Sequence, residues 1–347
     1  MVVLHFGHEL CWTLAMNTER LQSVSGLLDE TDARLEAGQA AGAKLWLTGF
    51  GALDRAMLGG FRSGELVLLG GAQGLGKTTF ALQAMRNLAA TGHNVVYFSF
   101  DQNTHSLIER LIAMEAAEIA GSVGVPLKSI REAFEARHRR EPTVEGRLAD
   151  TDGGVEAVEA LREHGRRMHL HRSKAADTDV DVMRKVIMGI REETGQTPFV
   201  VVDSLQKVHL VGPALLTEDD RVAFVVEALK DLTVELAVPV LAIVAGGPTT
   251  GKRTRVQDLR GSSDLVVPAD VLLILNEKFD VVARHHLVYN LASAERFRSW
   301  VVMTIEKNRN GVDKVDLEFE KAFKQGRFEP DGRRVEEELV DERIFVE

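Results

Sequence analysis

From residue 47 onward the chain alternates between short apolar runs and longer stretches in which apolar residues recur every three or four positions. The short runs predict strands at 65–69, 94–99, 199–203, 238–244, 271–275 and 300–306. The periodic stretches predict helices at 78–90, 104–120, 179–193 and 218–236. Strands and helices that alternate in this way predict an α/β fold, with a mostly parallel central sheet flanked by helices.

The first 45 residues carry a different pattern. "NTERLQSVSGLLDETDARLEAGQAAGA" sets Leu21, Val24, Leu28 and Leu35 at roughly helical spacing among acidic residues, then ends in an Ala/Gly stretch of linker character. A helix with one apolar stripe must pack on its own core or on a neighbouring subunit. Residues 121–165, which include "REAFEARHRREPTVEGRLADTDGG", are polar and charged and predict helices and loops at the periphery of the sheet. The expected organisation is a helical segment and linker over 1–45, an α/β domain over 46–335 and a tail over 336–347.

One junction between strand and helix carries chemistry. "ELVLLG" runs into "GGAQGLGKTTF", which opens into "ALQAMRNLAA". Gly71, Ala72, Gln73, Gly74, Leu75, Gly76, Lys77 and Thr78 fit G-x-x-x-x-G-K-[ST], with Thr79 beside them. Gly71, Gly74 and Gly76 lack a Cβ, so the backbone can curl and aim several N–H groups at an anion. Lys77 supplies a mobile positive charge for the β- and γ-phosphates, and the Thr78 hydroxyl can ligate Mg²⁺. The helix that starts there points its positive dipole end at the same anion. A merely flexible bend would need none of this, and the strand before and helix after it favour a nucleoside triphosphate. A second carboxylate comes from "PFVVVDSLQ", where Asp203 follows four apolar residues and stands at the carboxyl end of a predicted strand. Open α/β sheets place ligands there, and Asp203 can hold Mg²⁺ directly or through water.

Composition narrows the class without changing it. With 347 residues, 45% apolar and 27% charged, this is the make-up of a soluble globular protein. No apolar run is long enough to span a bilayer, and the N-terminus lacks a signal-type pattern, so a cytoplasmic protein is expected. Cys11 is the only cysteine, which rules out internal disulfides and Cys-based zinc sites. A formal net charge of −10 argues against a wholly basic nucleic-acid binder. A local basic surface suffices for DNA, however, and "GKRTRVQDLR" offers Lys252, Arg253 and Arg255, although such a run can equally be a solvated loop. His169 and His171 share a strand face in "MHLHR", but no cysteine or near carboxylate completes a metal site. His285 and His286 read as surface sequence, and Trp12, Trp46 and Trp300 are too scattered for a base-stacking platform.

These motifs, taken in order over most of the chain, resemble the C-terminal motor domain of DnaB-type replicative helicases, within the RecA-like P-loop NTPases. The resemblance rests on "LTGFGALDRAMLGGFRSGELVLLGG", "VVYFSFDQNTHSLIERL", "FVVVDSLQKV", "VEALKDLTVELAVPVLAI", "DLRGSSDLVVPADVLLIL", "IEKNRNG" and "RFEP". It implies ATP and Mg²⁺ as ligands, single-stranded DNA as a partner, and a homo-oligomer, a hexamer in the family, with ATP sites between subunits. It also implies that Lys307 and Arg309 reach across the boundary to a neighbour's triphosphate, where such a finger is worth ~10³-fold or more in rate.

The sequence departs from the family at several points. Asp101, in "SFDQ", stands where the family has a Glu that polarises the attacking water. The side chain is one methylene shorter, and ~1 Å of misplacement can cost about 100-fold. Ala245 replaces a Gln that senses γ-phosphate and DNA, and a second polar sensor position falls in apolar "VVPAD". The first DNA-facing loop, "HLVGPALLTEDD", has one His and three acids where the family is basic, which predicts a weak grip on single strands. The family's N-terminal helical domain has no counterpart in the first 45 residues. Three functions remain open: a DNA-directed ATPase motor, a nucleotide-gated assembly protein with slow hydrolysis and a protein client, and a DNA-binding recombination accessory.

Overall fold

A computed structural model of the chain describes residues 21–39, 41–135, 141–210, 217–246, 252–261, 265–288 and 291–341. Cys11, Trp12, the middle of the first DNA-facing loop and residues 342–347 of the tail lie outside them. The chain divides into two units after Lys44. The first contains helix α1 (Val24–Glu36), started by Ser23, whose Oγ accepts the Gly26 amide at 3.0 Å. Its Val24, Leu27, Leu28 and Leu35 are exposed.

The second unit opens with two short strands, β1 (Leu45–Trp46) and β2 (Phe61–Arg62), which pair with each other on either side of helix α2 (Gly51–Ala56). It is built on a sheet of ten strands among the described residues, in the order β11-β10-β9-β8-β3-β7-β6-β4-β5, with β12 beside β10. These strands are β3 (Leu66–Gly71), β4 (Val95–Ser99), β5 (Met168–Arg172), β6 (Phe199–Asp203), β7 (Val240–Ile243), β8 (Val271–Glu277), β9 (Trp300–Asn308), β10 (Val315–Ala322), β11 (Arg327–Phe328) and β12 (Arg333–Arg334). β5, β4, β6, β7, β3 and β8 run parallel, and β9, β10 and β11 follow as antiparallel strands. All six predicted strands and all four predicted helices are present, with ends shifted by no more than a few residues. The prediction missed β10, an edge-side strand in which Val315, Leu317 and Phe319 alternate with Asp316 and Glu318.

Near-continuous apolar sequence puts both faces of β3, β4, β6, β7 and β8 in core, while the edge strand β5 is only partly buried. One face joins Val67, Leu69, Val95, Tyr97 and Val201 to α3 (Lys77–Ala90) and α4 (Thr104–Ala120). The other joins Leu68, Val96, Val200 and Val202 to α8 (Val180–Thr194) and α9 (Glu218–Leu236). The charged stretch after α4 forms α5 (Leu127–Glu135), α6 (Val144–Leu148) and α7 (Gly154–His164). Ile130, Ala133, Leu148, Ala157 and Val158 pack with Ile112 and Ala116 of α4 into a small separate core. An ionic cluster ties this region to α3: Arg86 donates twice to the buried Glu115, both at 2.6 Å, and His164 Nε2 lies 3.4 Å from the same carboxylate. No helix among the described residues is long and apolar enough to cross a membrane.

Candidate functional site

The parallel sheet brings the carboxyl ends of β3, β4, β6 and β7 to one edge, and the site forms there. Between β3 and α3 the chain turns through Gly71, Gly74 and Gly76, whose φ values are +138°, +86° and +92°. Gly76 is both conformationally and spatially constrained. A Cβ added there would lie 2.6 Å from the Phe328 ring and 2.7 Å from the Phe323 ring, in addition to the left-handed strain. Gln83 fixes Phe328 from the next turn of α3, accepting its amide and donating to its carbonyl, each at 2.8 Å.

Lys77 extends over the loop. Its Nζ donates to the carbonyls of Gly71 at 2.6 Å and Ala72 at 2.7 Å. Burial draws the pKa of its ammonium down to about 8, and the charge of Asp203 works the other way. The cation therefore faces carbonyl oxygens with an acid nearby but not bonded to it, the arrangement of a group ready to meet an anion. Thr78 Oγ1 donates to Asp203 Oδ2 at 2.8 Å, and the Tyr97 hydroxyl donates to the same oxygen at 2.7 Å. Asp203 is 5% exposed. Burial raises its carboxyl above the usual range, and the bonds from Tyr97 and Thr78 act in opposition. A buried carboxylate beside a threonine hydroxyl, at the start of a helix, is a donor set that suits Mg²⁺ with a nucleotide phosphate.

Around this centre stand side chains that were not singled out in the sequence. Arg110 of α4 reaches Thr79 Oγ1 with Nη1 at 3.5 Å; burial, then the charge of Arg131, lowers its pKa below the usual value for arginine. Its place at the eighth position after "DQ" on a helix facing the loop was the available signal. Gln206 Oε1 accepts the amide of Ala245 at 3.2 Å, so a side-chain amide stands at the strand tip where Ala245 itself offers none. Asp101, at the tip of β4, is paired with Lys207 from the turn after β6, and both side chains are about half exposed. The proposed water-activating carboxylate thus lies at the same sheet edge as the phosphate loop.

Lys307 and Arg309 are elsewhere. β9 runs antiparallel to β8, which puts its last residues beside Val271 and Leu272, at the sheet edge opposite the loop. Lys307 Nζ donates to the carbonyls of Val266 and Ala269, each at 2.6 Å, and Arg309 donates to that of Val267 at 3.1 Å. The "VVPAD" stretch serves these cations through its backbone carbonyls and, for Arg309, through the Asp270 carboxylate as well. With strands of this length at ~3.3 Å per residue, the two edges are about 20 Å apart. Neither residue belongs to the same phosphate site as Lys77 within one chain.

The basic run requires a correction. Arg253 is 4% exposed, donates to Thr304 Oγ1 at 2.8 Å and pairs with Asp316, so its guanidinium is held inside the fold and is not the exposed cation the sequence suggested. Arg255 is held by Glu306 at 2.9 Å and Asp341 at 2.6 Å. Lys252, 3.5 Å from Asp258, keeps a half-exposed side chain. A buried guanidinium needs a partner carboxylate, and here β9 and β10 supply those partners. The loop expectation changes too: Glu218, Asp219 and Asp220 form the first turn of α9, where Thr217 and Asp220 make a reciprocal cap. Acids at that end complement the helix dipole, while 211–216 and 247–251 lie outside the described residues. On β5, His171 Nδ1 lies 2.9 Å from Ser173 Oγ.

Comparison with known proteins identifies relatives of the domain that carries this site. The family model "DnaB-like helicase C terminal domain" matches residues 46–329. The replicative DNA helicase DnaB of Geobacillus stearothermophilus is 27% identical over 284 residues, covering 80% of this chain and 55% of that protein. The replicative DNA helicase DnaC of Bacillus subtilis is 25% identical over 322 residues, covering 88% and 62%. The chain thus spans little more than half the length of these relatives. Among solved structures, that of a DnaB-like replicative helicase, described together with its interactions with primase, superposes with a TM-score of 0.66. The identity is 21%, over 89% of this chain and 67% of that one.

Proposed function

The chain belongs to the DnaB-like helicase C-terminal domain family, and from that premise we propose that it is an oligomeric RecA-like ATPase that hydrolyses ATP and acts on single-stranded DNA. One observation carries the reading most directly: the half-buried Lys77 ammonium, bonded to the loop carbonyls of Gly71 and Ala72, beside the Thr78–Asp203 pair. The loop amides and Lys77 bind and orient the triphosphate. Thr78 and Asp203 would hold Mg²⁺, which when bound would supply positive charge to the phosphates. Asp101 orients the attacking water, and Lys307 and Arg309 act on the site of a neighbouring subunit. Lys77→Ala tests the core of this: nucleotide binding is lost while the fold, judged by circular dichroism and thermal unfolding, is kept. Undiminished hydrolysis in that variant would sink the assignment. ATPase rates with and without single-stranded DNA at two salt concentrations, beside negative-stain images with and without ATP, test the oligomer and the nucleic-acid partner.

A second reading is favoured by Asp101, which is short and paired with Lys207, and by Ala245 in the sensor position. In that reading ATP controls assembly, hydrolysis is slow and the client is a protein. Images that change with ATP, together with turnover indifferent to DNA, select it.

A further inference from the structure

Tyr97 is one of two tyrosines in the chain and is fully buried. It sits on β4 opposite Val201 of β6, in the core face that contains Val95, Leu241 and Ile243. Phenylalanine would fill that space equally well, so packing does not account for the hydroxyl. A buried phenol needs a hydrogen-bond partner, and this one donates to Asp203 Oδ2 at 2.7 Å. Thr78 donates to the same oxygen at 2.8 Å. Among the described residues both side-chain donors to this carboxylate therefore fall on Oδ2, and two anchors on one oxygen restrict its rotation and leave Oδ1 without a bond from either.

We propose that Tyr97 is a positioning residue that holds the Asp203 carboxylate in the orientation needed for the divalent cation. This rests on the reading of Asp203 as a metal-holding carboxylate. Thr78 has two duties, to the carboxylate and to the metal, whereas the Tyr97 hydroxyl is enclosed in the core and donates to the carboxylate. It keeps Oδ2 anchored whatever Thr78 does, and it compensates a carboxylate that burial has stripped of water.

The test is Tyr97→Phe in the full chain, with binding of a fluorescent ATP analogue followed in EDTA and across a Mg²⁺ titration. The Mg²⁺ concentration at half-effect rises roughly ten-fold or more, the range for losing a hydrogen bond to a charged acceptor. Affinity in EDTA stays the same, and so does the change in thermal midpoint on adding metal-free nucleotide. On an Asp203→Asn background the substitution has no further effect on Mg²⁺ dependence, because the two residues act as one unit. An unchanged Mg²⁺ requirement in Tyr97→Phe would overturn the proposal, as would an equal loss with and without metal. Tyr97→Leu, which also lacks the hydroxyl, must show the same metal defect; if neither variant folds, the hydroxyl is structural and the proposal fails. An unmodified protein whose nucleotide binding ignores Mg²⁺ would instead remove the reading of Asp203 itself.

Discussion

Arg309 pairs with Asp270 at 3.1 Å, and Asp270 in turn accepts the amide of Leu66 at 2.8 Å, the first residue of the strand whose far end carries the phosphate loop. The guanidinium is thus anchored to the base of the same strand that ends in Lys77's loop. Within one subunit it cannot reach that loop, and an action on phosphate requires a second subunit. Arg309→Ala and Lys77→Ala proteins should each be inactive and regain activity when mixed. Random co-assembly leaves about one interface in four with both residues intact, so recovery to about a quarter of the unmodified rate is expected. Failure to recover, with co-assembly shown by cross-linking, assigns Arg309 to the framework.

Asp101→Glu should raise turnover. Asp101 is about half exposed, so a longer side chain has room, and the added methylene brings the carboxylate nearer the water. An increase of several-fold in kcat with little change in KM is the expected result, within the ~100-fold that about 1 Å of misplacement can cost. A fall in kcat would mean that the backbone already serves the shorter acid.

The basic run should separate on substitution. Arg253→Ala removes the partner of Asp316 inside the sheet and should lower stability by about 3 kcal/mol, as for a broken buried ion pair. Lys252→Ala should leave stability within about 0.5 kcal/mol and reduce the salt dependence of DNA binding. Equal effects on DNA binding with no loss of stability in either would show that Arg253 does face the strand.

Burial works to raise the Glu115 carboxyl, yet His164 and Arg86 hold it down to about 2 from its ordinary 4.5. Below 4.5 the unfolded chain takes up this proton and the folded chain does not, so the stabilisation is complete above that pH and is lost as pH falls towards 2. The full effect is about 3 kcal/mol. Urea unfolding between about pH 2 and 6 should show this slope, flattened in Glu115→Gln; a slope unchanged by the substitution places the titration elsewhere.

The phosphate loop was legible because all its chemistry lies within a few consecutive residues, and Asp203 because an apolar strand ends on it. What stayed hidden depends on partners far away in sequence. Arg253 looks like a solvated charge until Asp316, 63 positions on, closes over it. Tyr97 looks like one more apolar strand residue until the sheet sets it beside Asp203, 106 positions on. β10 was readable from its strict alternation, but Glu318, fully buried between Lys278 and Arg333, sits where that pattern predicts a solvated side chain.

Gln83 clasps the main chain of Phe328 across 245 positions, and this sets an order of events during synthesis. The helix that carries Lys77 emerges from the ribosome early, but the ring that backs Gly76 follows only much later. At about 5–20 residues per second that delay is on the order of ten seconds or more. A nascent chain therefore displays its nucleotide loop before the loop has its final support, and nucleotide added during translation meets a softer site than the finished protein offers.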